Sequence, residues 1–455
     1  MSKPLLNDPA RRALTWAMLL AAIPAVFVAV LAATISPVFR TAHMGPIALG
    51  VIAYVWMLEA VYLACRPHWL DRLIGLPYLY VMHGVLGTLA LLLAALHRMA
   101  LPAYALVRLT GGISYTLLFL GVLLALVLMA RPIAELVPPV ARLRAWLARA
   151  LNHETSVWLH RILLLAVVFA WVHFHLIFYI VHARPFIVMA DAATLFVLVS
   201  YVLDRIGRRT RVWHGVVADC RPVAPGVAEL AVRVERSASG SGPDWEEGDF
   251  TFIRFPKVRG MREYHPFSII NAPDDAASVD TASTDTADGD SDGKAVTVRF
   301  AIRADGDFTR RLPQVARVGE RVDLLPPFGR YRRFLDEHDG DRPIVMYAGG
   351  IGITPLLPLA FSYGERRRRR IILMYSASDA DGLLYRDELE AWRRRTGNTL
   401  ILKAGRFSPD ELRRAVTPDA VYLIAGPASM NRAVRRMLRG SGVRMADICY
   451  EPFAF

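Results

Sequence analysis

Trp158-Leu-His-Arg-Ile-Leu-Leu-Leu-Ala-Val-Val-Phe-Ala-Trp-Val-His-Phe-His-Leu-Ile-Phe178 is apolar along nearly its whole length, yet it carries imidazoles at 160, 173 and 175. About 20 mainly apolar residues suffice to cross a bilayer, so the stretch reads as a membrane-spanning helix. Ionisable groups inside such a helix are costly, and they point first to function. The histidines therefore decide how the rest of the chain is read.

Apolar runs of spanning length recur near 13–35, 46–64, 76–96, 112–130 and 186–204, making six spans with 156–181. Leu14 to Ile35 is long enough to span and lacks a small-residue cleavage site, so it reads as a span rather than a removed leader. Basic residues set the expected orientation. Lys3, Arg11, Arg12, Arg66, Arg72, Arg131, Arg142, Arg144, Arg149, Arg205, Arg208, Arg209 and Arg211 fall on one side; Arg40, Arg98, Arg108 and Arg184 fall on the other. The first side is expected to be the cytoplasm, holding the N-terminus and the C-terminal half. The net charge of +13 is thus explained by a membrane rather than by nucleic acid. The basic stretch Leu136–Leu151 reads either as an amphipathic helix on the inner leaflet or as a plain connecting helix.

His83 and His97 bracket the third span, 14 residues apart. That spacing is close to whole helical turns, so both rings share a face, about 21 Å apart along the axis. His160 and His173 bracket most of the fifth span, which runs in the same direction as the third. His83 then matches His160 in depth, and His97 matches His173. Two imidazole pairs at two depths suit two haems, each ligated from both sides. The plainer alternative is interfacial or hydrogen-bonded helix histidines. On a regular helix His173 lies well off the face of His160 and His175 lies closer, so His175 is a rival ligand unless the helix tightens locally.

At 455 residues the chain is long enough for two or three domains. Cys65, Cys220 and Cys449 are too few and too scattered for an iron–sulfur cluster, a cysteine zinc site or a disulfide framework. After Val212 short strands recur, at Val212–Val217, Val227–Val234, Asp249–Phe255, Val296–Arg303 and Arg321–Leu325, which predicts a small antiparallel barrel. Residues 274–294 hold seven aspartates among Ala, Ser, Thr and Gly and read as a disordered acidic loop. From about Arg342 strands alternate with helices, and Ile344-Val-Met-Tyr-Ala runs into Gly349-Gly-Ile-Gly-Ile-Thr-Pro355. A strand, a glycine turn and a helix in that order seat a pyrophosphate on backbone N–H groups. The expected layout is a six-helix transmembrane bundle (1–208), an antiparallel β-barrel domain (209–338) and an α/β Rossmann-like domain (339–455).

His265-Pro-Phe-Ser268, Gly306-Asp-Phe-Thr309, Gly349–Pro355, Gly426-Pro427 and the terminal Glu451-Pro-Phe-Ala-Phe455 resemble motifs of the membrane ferric reductases and NADPH oxidases, in the same order and over nearly the whole chain. That resemblance implies a six-span domain with two haems b joined to a ferredoxin-reductase-like module for FAD and NAD(P)H. It implies that His265, Pro266, Phe267 and Ser268 line the flavin, with the Ser268 hydroxyl near N5. Arg303 with Gly306, Phe308 and Thr309 would hold the FAD pyrophosphate. Gly349, Gly350, Gly352, Thr354 and Pro355 would seat the nicotinamide dinucleotide, with Ser376, Gly426 and Pro427 beside it. Phe455 would stack on the flavin until nicotinamide displaces it.

Three departures limit the inference. Ala425 stands where many relatives have Cys, and Leu101 stands where oxygen-reducing relatives tend to carry His. Ser376-Ala-Ser-Asp379 lacks an arginine for a 2′-phosphate, although Arg386 and Arg366–Arg370 could supply charge, so NADH and NADPH both stay open. The expected activity is electron export from NAD(P)H across a lipid bilayer, of the bacterial inner membrane, to a ferric chelate. Oxygen, or a periplasmic protein fed by the haems, are the alternative acceptors.

Overall fold

The computed structural model describes residues 8–128, 138–150, 153–210, 212–235, 243–273, 295–338 and 340–451. The acidic segment 274–294 and Phe455 lie outside them. The chain divides into two compact units. One comprises Ala10–Leu70 and Tyr78–Gly207; the other comprises Met1–Pro9, Asp71–Pro77 and Arg208–Phe455.

Among the described residues six helices are long and apolar enough to cross a membrane: Ala10–Thr34, Pro37–Ala64, Leu76–Ala100, Ala105–Leu128, Thr155–His175 and Arg184–Gly207. The second and fourth begin well before the sequence suggests. The second runs straight through Pro46, and the fourth through Gly111 and Gly112. Gly-Pro and Gly-Gly read as breaks in water, but helix breakers are tolerated where neighbouring helices re-satisfy the backbone. Polar groups tie the bundle. Tyr54 and Thr194 share a hydrogen bond of 2.6 Å, Trp56 Nε1 donates to the Leu19 carbonyl at 3.1 Å, and Ser114 Oγ donates to the Ala166 carbonyl at 2.8 Å.

The fifth span is jointed. One helix covers His153–His160 and the next Leu163–His175. Between them Ile162 N donates to Leu159 O, Leu164 N to Arg161 O and Leu165 N to Ile162 O, all three residues back. This is the tighter 3₁₀ pattern, and it resets the angle between His160 and His173. Pro138–Ala150 is a separate helix.

The second unit holds two sheets. β1 (Trp213–Ala224), β2 (Val227–Glu235), β3 (Phe250–Arg254), β4 (His265–Ser268), β5 (Ala295–Arg303) and β6 (Arg321–Leu324) pair antiparallel in the order β4-β3-β6-β1-β2-β5. A bridge from Ile269 to Phe300 joins the β4 edge to the β5 edge and closes the sheet toward a barrel. Leu230, Val232, Ile253, Phe255, Val298 and Phe300 fill its interior. β7 (Ile344–Gly349), β8 (Ile371–Ala377), β9 (Thr399–Ala404), β10 (Val421–Ala425) and β11 (Ile448–Tyr450) pair parallel in the order β11-β10-β7-β8-β9. The chain leaves β7 for β8 on one side and returns to β10 on the other, so the order reverses between β7 and β10. In open α/β sheets that crevice is where ligands bind.

Candidate functional site

In the membrane unit the four paired histidines come together as two couples. The ring centroids of His83 and His160 are 5.7 Å apart, and those of His97 and His173 are 6.3 Å apart. A metal ion held by two imidazoles at about 2 Å from each nitrogen needs centroids roughly 6 Å apart. Three of the four rings have Nδ1 against a backbone carbonyl: His83 on Ala60 at 2.8 Å, His97 on Pro46 and His173 on Val107, both at 2.9 Å. A ring that donates from Nδ1 keeps its lone pair on Nε2, the arrangement typical of metal-binding histidine. His160 Nδ1 is buried without a hydrogen-bond partner among the described residues. It borders a small space lined by Gly121, Leu124, Ala125, Leu128 and Ser156.

The rival, His175, is engaged at both nitrogens. Nδ1 donates to the Trp171 carbonyl at 2.9 Å, and Nε2 lies 3.2 Å from Asp191 Oδ1, which also accepts from Trp171 Nε1 at 2.7 Å. Among the described residues no group of three or more His, Cys, Asp or Glu could hold a metal by itself. Two-histidine couples fit an ion whose remaining positions are filled by a macrocycle.

In the other unit, β4 carries His265, Pro266, Phe267 and Ser268 in register with Ile253, Phe252, Thr251 and Phe250 of β3. The helix Asp307–Val315 brings Phe308 against this strand, 4.3 Å from the His265 ring and 5.9 Å from Phe267. Thr309 Oγ1 accepts the N–H groups of both Asp305 and Gly306 at 2.9 Å. The Gly306 amide is therefore engaged, and the N–H groups open to an anion are those of the first helical turn after it. Arg303 ends β5, and its guanidinium comes near Gly350.

The glycine loop follows β7 directly, as Gly350–Gly352 and then a helix Ile353–Phe361 that includes Thr354 and Pro355. Gly350 has φ +55°, a conformation glycine adopts without strain. Gly352 packs directly on the Ala425 carbonyl and Gly426, and Gly349 on Met430 and Pro427, so a Cβ at either position would collide. Loop and Gly426-Pro427 thus share one edge of the sheet, with Ser376 in register beside Gly349. Arg366–Arg370 precede β8 and lie at the opposite edge, where Arg367 pairs with Asp336 and Arg369 donates to the Arg342 carbonyl. They are too far round the sheet to serve a nucleotide at the glycine loop. Asp379 caps its own turn by accepting from Gly382 N at 2.8 Å, and Arg386 is exposed. Arg406, exposed just beyond β9 on the nucleotide edge, is a basic residue that sequence reading passed over because it sits in no motif.

Glu451, the last described residue, is fully buried. Its Oε1 accepts from Arg330 N at 2.8 Å and its own N–H is bound by the Tyr331 hydroxyl at 3.1 Å. Burial, with Asp71 nearby, pushes its carboxyl up to about 8.

No family model matches the chain. It is similar to methane monooxygenase component C of Methylosinus trichosporium, 29% identical over 202 residues, 43% of this chain and 52% of that protein. A toluate 1,2-dioxygenase electron transfer component of Pseudomonas putida is 29% identical over 174 residues, 34% of this chain and 50% of the other. A flavohemoprotein of Pseudomonas putida is 27% identical over 179 residues, 36% and 44% of the two chains. The chain spans about half the length of the curated relatives it matches. The solved FAD/NAD-binding domain of nitric oxide dioxygenase from Vibrio cholerae covers 53% of this chain and 98% of its own, at 18% identity and a TM-score of 0.41. The matched stretch is thus similar to an electron transfer component and to a flavohemoprotein over about half of each. Six apolar helices stand in the same chain as this stretch, the order of parts expected from the sequence.

Proposed function

We propose that the protein is a transmembrane oxidoreductase that takes electrons from cytoplasmic NAD(P)H through FAD and two bis-histidine haems b to an acceptor on the far side of the bilayer, a ferric chelate foremost. The observation that carries this reading is the pair of imidazole couples, 5.7 and 6.3 Å between centroids, on helices of the same chain as a reductase module. FAD supplies the conversion of a hydride into single electrons, and haem the carriage of one electron at a time.

The chain's own residues place and insulate these groups. His265, Pro266, Phe267 and Ser268 would line the flavin, and the Ser268 hydroxyl would be the group to hydrogen-bond near N5. Arg303 by charge, and the N–H groups of the helix start that follows Gly306, at Phe308 and Thr309, would neutralise the FAD pyrophosphate. Gly349, Gly350, Gly352, Thr354 and Pro355 would seat the dinucleotide, with Ser376, Gly426 and Pro427 beside the nicotinamide, and Phe455, outside the described residues, would be the residue to cover the flavin. His83 and His160 hold the haem nearer the cytoplasm, and His97 and His173 the outer one. With two imidazoles of this chain given to each haem, no place would be left for an acceptor to bind the metal, and the group would serve to carry single electrons outward. The membrane domain of this reading is 1–208, the FAD domain 209–338 and the NAD(P) domain 339–455.

The test is an absorption spectrum of detergent-extracted protein, oxidised and dithionite-reduced, followed by NAD(P)H-driven reduction of a ferric chelate. Low-spin b-type bands at about two haems per chain, and reduction insensitive to superoxide dismutase, are expected. A dismutase-sensitive signal would assign the acceptor as oxygen. Haem reduction without turnover on any small acceptor would assign it as a periplasmic protein. A preparation yellow with flavin alone overturns the proposal.

A further inference from the structure

Gly50 and Gly111 lie on different spans in matching environments. A methyl group added at Gly50 would meet His97 Nδ1 at 2.7 Å and Cε1 at 2.8 Å. One added at Gly111 would meet His173 Nδ1 and Cε1, both at 2.8 Å. Carbon atoms in favourable contact sit about 3.5–4.0 Å apart, so each imidazole presses on a stretch of helix that has no room for a Cβ. In both cases Nδ1 reaches the carbonyl four residues earlier on that same helix, Pro46 before Gly50 and Val107 before Gly111, at 2.9 Å. The spacing has a cause. Helical Cβ atoms lean toward the N-terminus, so a side chain at the fourth residue after a carbonyl stands over it. His83 differs, since its carbonyl is Ala60 and the fourth residue on is Ala64.

We infer that Gly50 and Gly111 are positioning residues for the haem proposed at His97 and His173: each uncovers a helix carbonyl to one imidazole, which fixes the proton on Nδ1 and leaves Nε2 to coordinate. The inference rests on the haem reading above. It treats the two glycines as second-layer partners of the ligands, whose loss in metal sites typically weakens binding by about 10- to 100-fold. The geometry also ties each glycine's role to one ring, because the three atoms nearest to an added methyl all belong to that ring.

The test uses the full-length protein with its cofactors. Gly50→Ala and Gly111→Ala are compared with Gly45→Ala and Gly112→Ala, which lie on the same two helices with nothing within 4 Å. The readouts are haem per chain, the low-spin ferric electron paramagnetic resonance signals and the melting temperature. Gly50→Ala and Gly111→Ala are each expected to lose half the haem and one of two low-spin signals, while the controls keep both. A second pair isolates the ring: Gly50→Ala is expected to change nothing further when added to His97→Ala, because the methyl then enters vacated space. If Gly50→Ala alone does not assemble, rescue of assembly by His97→Ala supports the inference, and persistent failure overturns it. Full haem and unchanged signals in Gly50→Ala and Gly111→Ala also overturn it. Wild-type protein without haem sinks the haem reading itself, whereas two haems in wild type with unaffected glycine variants sinks only the cradle.

Discussion

The reductase module and the membrane unit assemble their candidate sites from different materials. Around Gly349–Pro355 the atoms that would face a dinucleotide are backbone N–H groups of consecutive residues, delivered by one strand, one turn and one helix start. In the membrane unit the atoms are side-chain nitrogens from the third and fifth spans, oriented by carbonyls of the second and fourth. A site made of neighbouring backbone is damaged by adding atoms. A site made of distant side chains is damaged by removing them. The variants below test that contrast, from the largest expected effect downward.

Removing an imidazole comes first. His83→Ala or His160→Ala is expected to halve the haem per chain and to lower acceptor reduction by about 100-fold or more, with FAD content retained. Pigment and flavin quantification on the same preparation checks this. If the haem stays at its full level in both variants, the couple at 5.7 Å is not a ligand pair.

Adding a methyl comes second. Gly352→Ala would drive its Cβ into the Ala425 carbonyl, where backbone must move, and is expected to cost about 1–3 kcal/mol of module stability and to raise the KM for NAD(P)H. Gly349→Ala meets the end of a flexible Met430 side chain and should cost less. Equal effects at the two glycines, by thermal unfolding, would count against a backbone-made site.

Thr309→Ala is third. It removes the oxygen that binds the Asp305 and Gly306 amides, a loss of roughly 1 kcal/mol, visible as faster FAD release.

Fourth is pH. Because the Glu451 carboxyl sits at about 8 when folded, the folded protein keeps a proton that the unfolded chain releases near 4.3. Its contribution therefore favours the folded state at low pH and fades as pH rises from about 4.3 to about 8. Glu451→Gln should flatten the melting temperature across that window by a few degrees, about 2–4 °C. Asp71, pushed up to about 6, and Asp249, also raised by burial, keep part of the slope. An unchanged profile would refute the linkage.

Smallest is His175→Ala, which should leave haem content unchanged, because both its nitrogens already serve Trp171 and Asp191.

Composition and periodicity made the layout legible: six apolar runs, then short alternating strands, then strand–helix alternation around a glycine turn. The limits of reading lay where bonding partners are distant. The second and fourth spans read as starting near 46 and 112, where apolar runs begin, yet their helices start earlier and run through Pro46 and Gly111-Gly112. The misfit angle at His173 could be named from spacing, but its remedy, the tightened turn at 161–162, depends on packing. Thr309 read as part of a turn that offers backbone N–H groups, and that its hydroxyl also secures this turn depends on the fold. Arg366–Arg370 read as possible phosphate ligands because a sequence does not say at which end of a strand a run will sit. The cradles at Gly50 and Gly111 were invisible, since nothing ties a glycine in the second span to a histidine in the third until both helices are placed.

The jointed fifth span has a mechanical side. His83 and His97 ride one unbroken helix, Leu76–Ala100, and so keep a fixed separation and phase. Their partners ride two short segments that share a pivot at Arg161-Ile162. Any strain between the two levels, from bilayer thickness or from a residue gained or lost, is taken up on the compliant strut while the stiff one holds the ruler.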